Sequence, residues 1–130
     1  MFNYLEREEL VSINREVVKL SGDPHGIISE ANLNHVIEAV KLKYESQGDS
    51  LFLKAAFIID YLANKGHVFI EGNKRTAETA TITFLRINGF FFEERNQNEL
   101  ADFVLSVARG EKSIAAIEKW LKERIKGASE

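Results

Sequence analysis

The chain has 130 residues, 45% of them apolar, and its nine Phe and one Trp supply enough bulk to fill one hydrophobic core. It contains no cysteine, which excludes disulfides, thiolate nucleophiles and cysteine-ligated zinc. Its 17 basic residues are outnumbered by 20 acidic ones, and the net charge of −3 gives no overall attraction to nucleic acid. We therefore expect no direct DNA binding, and any anion-binding site must be local.

Neither a membrane span nor a domain boundary is visible in the sequence. No apolar run approaches the roughly 20 residues of a transmembrane helix, and the acidic opening "MFNYLEREEL" lacks the basic and then apolar order of a signal peptide. There is a single proline, with no repeat and no Gly/Ser-rich linker. We expect a cytoplasmic protein with one domain over residues 1–130.

Three helical patterns occupy the first half of the chain. The first is an amphipathic stripe that ends near Gly22; its members are Leu10, Ile13, Val17 and Leu20. Ser29 is a good N-cap for the second, whose stripe is Leu33, Val36, Ile37, Val40 and Tyr44. The third, "LFLKAAFIIDYLAN", is apolar on nearly every face and predicts a central helix. Gly66 is expected to end it in a left-handed conformation.

Three further helices are predicted in the second half. The fourth begins inside the segment 66–80, and its periodic residues are Ala77, Ala80, Thr81, Phe84 and Leu85. "FFF" at 90–92 predicts a short extended connection. The fifth helix ends at Gly110 and carries Leu100, Phe103, Val104, Val107 and Ala108. Ser113 caps the sixth, which carries Ile114, Ile117, Trp120 and Leu121. Six helices with short connections predict an all-α helical bundle.

The segment "GHVFIEGNKRTAETA", residues 66–80, concentrates the polar chemistry between two helices. A helix start presents unpaired N–H groups and the positive end of the helix dipole, so it binds anions readily. Gly72 removes a side chain where a phosphate would approach the backbone. Lys74 and Arg75 oppose the dipole in the first helical turn, which indicates a compensating negative ligand such as a polyphosphate.

Glu71 and His67, which both precede the helix start, suggest group-transfer chemistry. Glu71 offers the hard oxygen that Mg²⁺ prefers, and magnesium is usually shared between one or two carboxylates and substrate phosphates. His67 could accept a proton from an attacking hydroxyl near neutral pH. Val68 and Phe69 are expected to anchor the loop in the core. These are the parts of a phosphoryl or nucleotidyl transfer site.

Each polar residue taken alone also has an ordinary structural interpretation. His67 would be a helix-end cap, Glu71 a helix-start carboxylate, Asn73 a turn or cap residue, and "NKR" a solvated face. Their occurrence together within nine residues favours a site. His25 and His35 are assigned structural roles, because neither has a partner at metal-ligand spacing, and no zinc site is predicted.

The stretch "HVFIEGNKRTA" resembles the motif of the Fic/Doc superfamily, and its Asn-Lys-Arg-Thr-Ala ending resembles the death-on-curing (Doc) toxin branch. The similarity extends to "REELVSINREVVKLSGDPHGI", "FLRINGF" and "LADFVLSVARGEKSIAAIEKWL". It implies an all-α Fic fold and transfer from ATP to a protein hydroxyl.

Carried over by position, the resemblance implies a role for each motif residue. His67 would be the general base, and Glu71 would hold Mg²⁺. Gly72, Asn73, Lys74 and Arg75 would bind and neutralise the phosphate. Doc toxins phosphorylate elongation factor Tu, and their partner is an antitoxin whose C-terminal segment folds onto the toxin.

The chain departs from both branches of the superfamily. Adenylyl-transferring Fic proteins have glycine where this chain has Lys74 and a second arginine where it has Glu78, which argues against adenylylation. Gly72 is Fic-like, whereas Doc toxins tend to carry Ala there, and Glu71 replaces their usual Asp. The leading interpretation is a Doc-type kinase toxin; the alternatives are a protein adenylyltransferase and a catalytically silent Fic-fold binding module.

Overall fold

The computed structural model describes residues 1–48 and 50–127. Its α-helices are α1 (Arg7–Ser21), α2 (Glu30–Leu42), α3 (Ser50–Asp60), α4 (Asn73–Arg86), α5 (Glu99–Ala108) and α6 (Ile114–Lys122). A π-helical turn, Tyr61–Lys65, continues α3, and the strands β1 (Phe90–Phe92) and β2 (Ile125–Gly127) form an antiparallel pair. The prediction of an all-α fold is confirmed. Within the described residues, every helix is too short or too polar to cross a membrane.

The central helix α3 is buried as predicted and packs against α4 and α6. Its most unusual residue is Lys54, which has no exposed surface. The Lys54 ammonium donates to the carbonyls of Val40, at 2.6 Å, and Lys41, at 3.1 Å, near the end of α2. A third bond joins it to Glu45 Oε1 at 3.1 Å. All three N–H donors are thus satisfied, and Lys54 caps α2 from within the core.

The buried face of α1 differs from the predicted stripe. Leu20, assigned to that stripe, is 88% exposed, and the buried residues are Leu10, Val11, Asn14 and Val18. The face that packs against α4 is therefore rotated relative to the prediction. A polar residue, Asn14, lies at its centre, which is why apolar spacing identified this face only in part: Leu10 is buried as predicted, and Ile13 packs against the core.

The helix ends largely agree with the sequence. Ser29 Oγ accepts the N–H of Asn32 at 3.0 Å, and Ser113 caps α6 in the same way. The predicted extension of α2 to Tyr44 is wrong, because α2 ends at Leu42 and Tyr44 has a left-handed φ of 65°. The extended "FFF" segment is confirmed as β1, and its partner strand β2 was not predicted.

Candidate active site

The motif loop, residues 66–72, is held in extended form against the turn that follows α1. The N–H of Ile28 donates to the Val68 carbonyl at 2.8 Å, and the N–H of Ile70 donates to the Gly26 carbonyl at 3.0 Å. Val68 and Phe69 are fully buried, so their predicted role as core anchors is confirmed. The loop is therefore a fixed part of the fold at its middle.

The end of the loop that carries His67 follows the π turn. The N–H of Gly66 donates to the carbonyl of Tyr61, five residues earlier, at 2.7 Å. The prediction of a left-handed Gly66 is wrong, since Gly66 has φ −82° and ψ −32°. Glycine is required there because a Cβ would lie 2.5 Å from Cε2 of Tyr61. The left-handed residue is His67, with φ 43°, and its side chain is exposed.

The other end of the loop is the start of α4. Gly72 occupies the N-cap position with φ 79° and provides no side-chain cap. A Cβ at Gly72 would lie 2.8 Å from Cγ1 of Val18, so glycine is needed both for the backbone conformation and for close packing against α1. The N–H groups of the first turn of α4 have no carbonyl partners within the helix, as at any helix start. They are the groups that an anion would contact.

Asn73, the first residue of α4, folds its side chain back onto the loop. Its Oδ1 accepts the N–H of Phe69 at 3.0 Å, and its Nδ2 donates to the Phe69 carbonyl at 2.9 Å. The amide therefore closes the loop. Both polar atoms of the side chain are thus engaged with Phe69. The phosphate contact predicted for Asn73 would therefore come from its backbone N–H.

The two cations of the motif have different surroundings. Arg75 donates to the Val17 carbonyl at 2.8 Å and forms an ion pair with Asp23 at 3.2 Å, yet its side chain stays 42% exposed. Lys74 is exposed. Arg75 thus ties α4 to the end of α1 while keeping further N–H donors, and Lys74 provides the more mobile charge.

A cleft of about 340 Å³ opens at the start of α4, a size suited to a small molecule. Its lining consists of Glu71, Gly72, Asn73, Lys74, Arg75 and Glu78 on one side and Ala101, Val104 and Leu105 of α5 on the other. The fold therefore brings five of the six predicted site residues to one cleft. His67 is not part of the lining and lies at the opposite end of the loop.

Glu78 adds a carboxylate to this cleft. It is partly buried, and burial, followed by the nearby charge of Glu94, raises its pKa above the ordinary value. Across the described ranges, no three His, Cys, Asp or Glu side chains cluster to hold a metal ion. The exposed Glu71 nevertheless fits Mg²⁺, since this ion typically takes one or two carboxylates together with substrate phosphates and water.

One residue that contacts the motif was missed in the sequence. Asn14 of α1 is fully buried and donates to the carbonyl of Glu71 at 2.8 Å and to Thr76 Oγ1 at 3.1 Å. Its Oδ1 lies 3.0 Å from Nδ1 of His25. The sequence offers one signal for Asn14: it is a polar residue four positions after Leu10 and four positions before Val18, on the same face of the helix.

Comparison with known proteins agrees with this geometry. Residues 4–85 match the model of the Fic/DOC family. The chain belongs to the Fic/DOC family. It is also 28% identical over 129 residues to "Protein kinase doc" of Escherichia phage P1, an alignment that covers 98% of each chain. The match spans nearly the whole length and supports the assignment to the Doc branch.

Proposed function

We propose that this protein is a Doc-like toxin that transfers the γ-phosphate of ATP to a hydroxyl group of a protein. The observation that carries the proposal is the cleft in which an uncapped helix start, Lys74 and Arg75 meet the carboxylate of Glu71. Such a cleft suits a polyphosphate with its magnesium ion. The similarity to a relative named as a protein kinase supports the same chemistry.

In the proposed reaction, the acceptor hydroxyl oxygen attacks the γ-phosphorus in line with the bond to the β-phosphate oxygen. That bond breaks, ADP leaves, and His67 takes the hydroxyl proton. Lys74, Arg75 and the N–H groups at the start of α4 stabilise the charge on the phosphates. Mg²⁺ held by Glu71 would contribute further neutralisation of that charge. Because His67 is exposed at the other end of the loop, an acceptor protein can reach it.

The residues of the cleft favour transfer of the γ-phosphate over adenylylation. Lys74 fills space that a glycine would leave open, and Glu78 places a carboxylate where a second arginine would grip a phosphate. We infer that ATP binds with its γ-phosphate, and not its α-phosphate, next to the acceptor hydroxyl.

Isotope labelling tests this assignment directly. The protein is incubated with a bacterial lysate and with ATP labelled at either the γ or the α position. Label should reach protein only from the γ position. Label from the α position would establish adenylylation instead, and binding of ATP without transfer of either label would favour the silent binding module.

The proposed target and partner follow from the Doc resemblance. The target is elongation factor Tu or a similar translation protein, and the partner is an antitoxin with an amphipathic C-terminal segment. Three large apolar side chains, Leu20, Ile28 and Ile70, are exposed on α1, the following turn and the motif loop, and they suit a partner that covers them.

Expression in a bacterium tests whether the protein is toxic. Wild-type protein should arrest growth, and the His67→Ala variant should not. Purified elongation factor Tu should accept label from γ-labelled ATP. Normal growth with the wild-type protein at a confirmed expression level would argue against toxicity.

A further inference from the structure

Side chains from two different helices hold the two ends of the motif loop. Asn32 of α2 donates its Nδ2 to the Gly66 carbonyl at 2.7 Å, and Asn14 of α1 donates its Nδ2 to the Glu71 carbonyl at 2.8 Å. We propose that these are positioning residues with separate tasks: Asn32 orients the general base, and Asn14 orients the groups that bind magnesium and phosphate. The inference rests on the proposed function.

The bond from Asn32 acts on the backbone of His67. The Gly66 carbonyl belongs to the peptide unit that ends at the nitrogen of His67, so holding this oxygen fixes the plane from which the φ of His67 is measured. That φ is 43°, a left-handed conformation that is unfavourable for a non-glycine residue and persists only when its surroundings enforce it. Asn32 is itself fixed, because its backbone N–H is capped by Ser29.

The bond from Asn14 acts on the start of α4 in the same way. The Glu71 carbonyl belongs to the peptide unit that ends at the nitrogen of Gly72, which has φ 79°. Asn14 also donates to Thr76 in the first turn of α4. Holding both points sets the direction of the N–H groups that would bind phosphate and the backbone of the magnesium ligand Glu71.

The side-chain amide of Asn14 has only one orientation that satisfies its hydrogen-bond partners. A carbonyl oxygen only accepts hydrogen bonds, so the Asn14 nitrogen must face Glu71, and its Oδ1 must accept from His25. His25 therefore carries its proton on Nδ1. A buried amide with a defined partner on each side is a rigid support.

The test uses Asn32→Asp and Asn14→Asp, which keep the shape of the side chain but replace its donor by an acceptor. Asn32→Asp should lower kcat, since misplacing a reacting group by about 1 Å costs on the order of 100-fold, while the Kd of Mg-ATP stays unchanged. Asn14→Asp should weaken Mg-ATP binding by about 10- to 100-fold, the usual effect of losing a support behind a metal ligand. Titration calorimetry and steady-state kinetics measure the two effects.

Two comparison variants and one replacement variant accompany this test. Asn34→Asp makes the same change at an exposed position of α2 and should alter nothing. Thr76→Val removes only the second contact of Asn14 and should weaken Mg-ATP binding less than Asn14→Asp does. If Asn14→Asp fails to fold, Asn14→Ala takes its place, because it leaves room for a water molecule next to the Glu71 carbonyl.

The two possible failures are distinguishable. An active wild type whose two variants lose kcat and Mg-ATP affinity in parallel would overturn this inference and leave the proposed function standing. A wild type that transfers no label would overturn the proposed function. In that case the NMR signals of the His67 ring should still move in Asn32→Asp and stay in place in Asn14→Asp, and the opposite pattern would overturn the inference.

Discussion

The two ends of the motif loop are built in different ways. At the His67 end, the chain leaves a π turn, and the catalytic candidate itself adopts a left-handed conformation and is exposed. At the Gly72 end, a glycine takes the left-handed conformation, packs tightly against Val18 and opens a regular helix. The first end places one side chain where another molecule can reach it. The second end aligns a set of backbone groups and charges along a cleft.

This difference teaches that two kinds of precision are needed in one loop. In the proposed function, the general base must meet the hydroxyl of an acceptor protein, so it benefits from exposure. Phosphate binding depends on fixed N–H directions, so it benefits from burial of the supporting residues. Separate substitutions at each end should therefore have separable consequences.

The largest expected effect lies at the His67 end. His67→Ala should lower the rate of phosphate transfer by about 10²–10⁴, the usual range for loss of a general base. ATP affinity should remain within a few-fold of wild type, because the proposed role of the histidine is to act on the acceptor and not on the phosphates. Transfer assays and titration calorimetry provide the two values. Full activity in this variant would show that the base is another residue.

The next effect concerns the packing of Gly72. Gly72→Ala should lower the free energy of unfolding by about 2–4 kcal/mol, through overpacking against Val18 and the unfavourable φ. Gly22→Ala is the matched control, since Gly22 has a φ of 76° and no atom within 4 Å of an added Cβ. It should cost only about 1 kcal/mol. Equal losses in chemical denaturation would show that the contact with α1 is unimportant.

A third substitution tests the charges of the cleft. Arg75→Ala should weaken ATP binding by about 1.5–3 kcal/mol, the range for a hydrogen bond to a charged group. Asp23→Asn is the control, because it removes the ion-pair partner of Arg75 and keeps the guanidinium. ATP affinity in this control should be unchanged or higher. Unchanged titration in Arg75→Ala would mean that this arginine serves only to join α4 to α1.

The smallest effect concerns Glu78 and is visible as a pH dependence. Because burial raises its pKa in the folded state, the folded protein holds this proton more tightly than the unfolded chain does. Stability from this group is therefore present in acid and is lost as pH rises past its ordinary pKa. Glu78→Gln should be more stable than wild type near neutral pH, with the difference vanishing in acid. Thermal unfolding across this pH range measures the difference in stability, and a difference that stays constant with pH would contradict the raised pKa.

The helices were predictable where local patterns decide the structure. The buried face of α4, from Ala77 to Leu85, and the caps at Ser29 and Ser113 follow from apolar spacing and side-chain capping. The π turn was not predictable from the sequence. A hydrogen bond that spans five residues leaves no distinct residue pattern in a segment that is apolar on nearly every face. The strand β2 is only three residues long and gains its structure from β1.

The candidate site shows the same division. Residues 71–75 are contiguous at a helix start, so the sequence alone predicts that they act together. The α5 wall of the cleft, with Val104 and Leu105, is joined to them only by tertiary packing. Asn14 was missed for the same reason, since it lies 57 positions from the carbonyl that it holds.

The π turn gives the fold some tolerance in the number of residues that lead to the site. It accommodates one residue more than an α-helical turn would. Deleting a single residue such as Ala63 would allow the ladder of α3 to continue regularly, without disturbing the residues before Tyr61. Because the π turn holds this extra residue, the chain beyond would keep its direction, and Gly66 would stay next to Asn32. The π turn is thus a place where the fold can lose one residue and become more regular without losing its site.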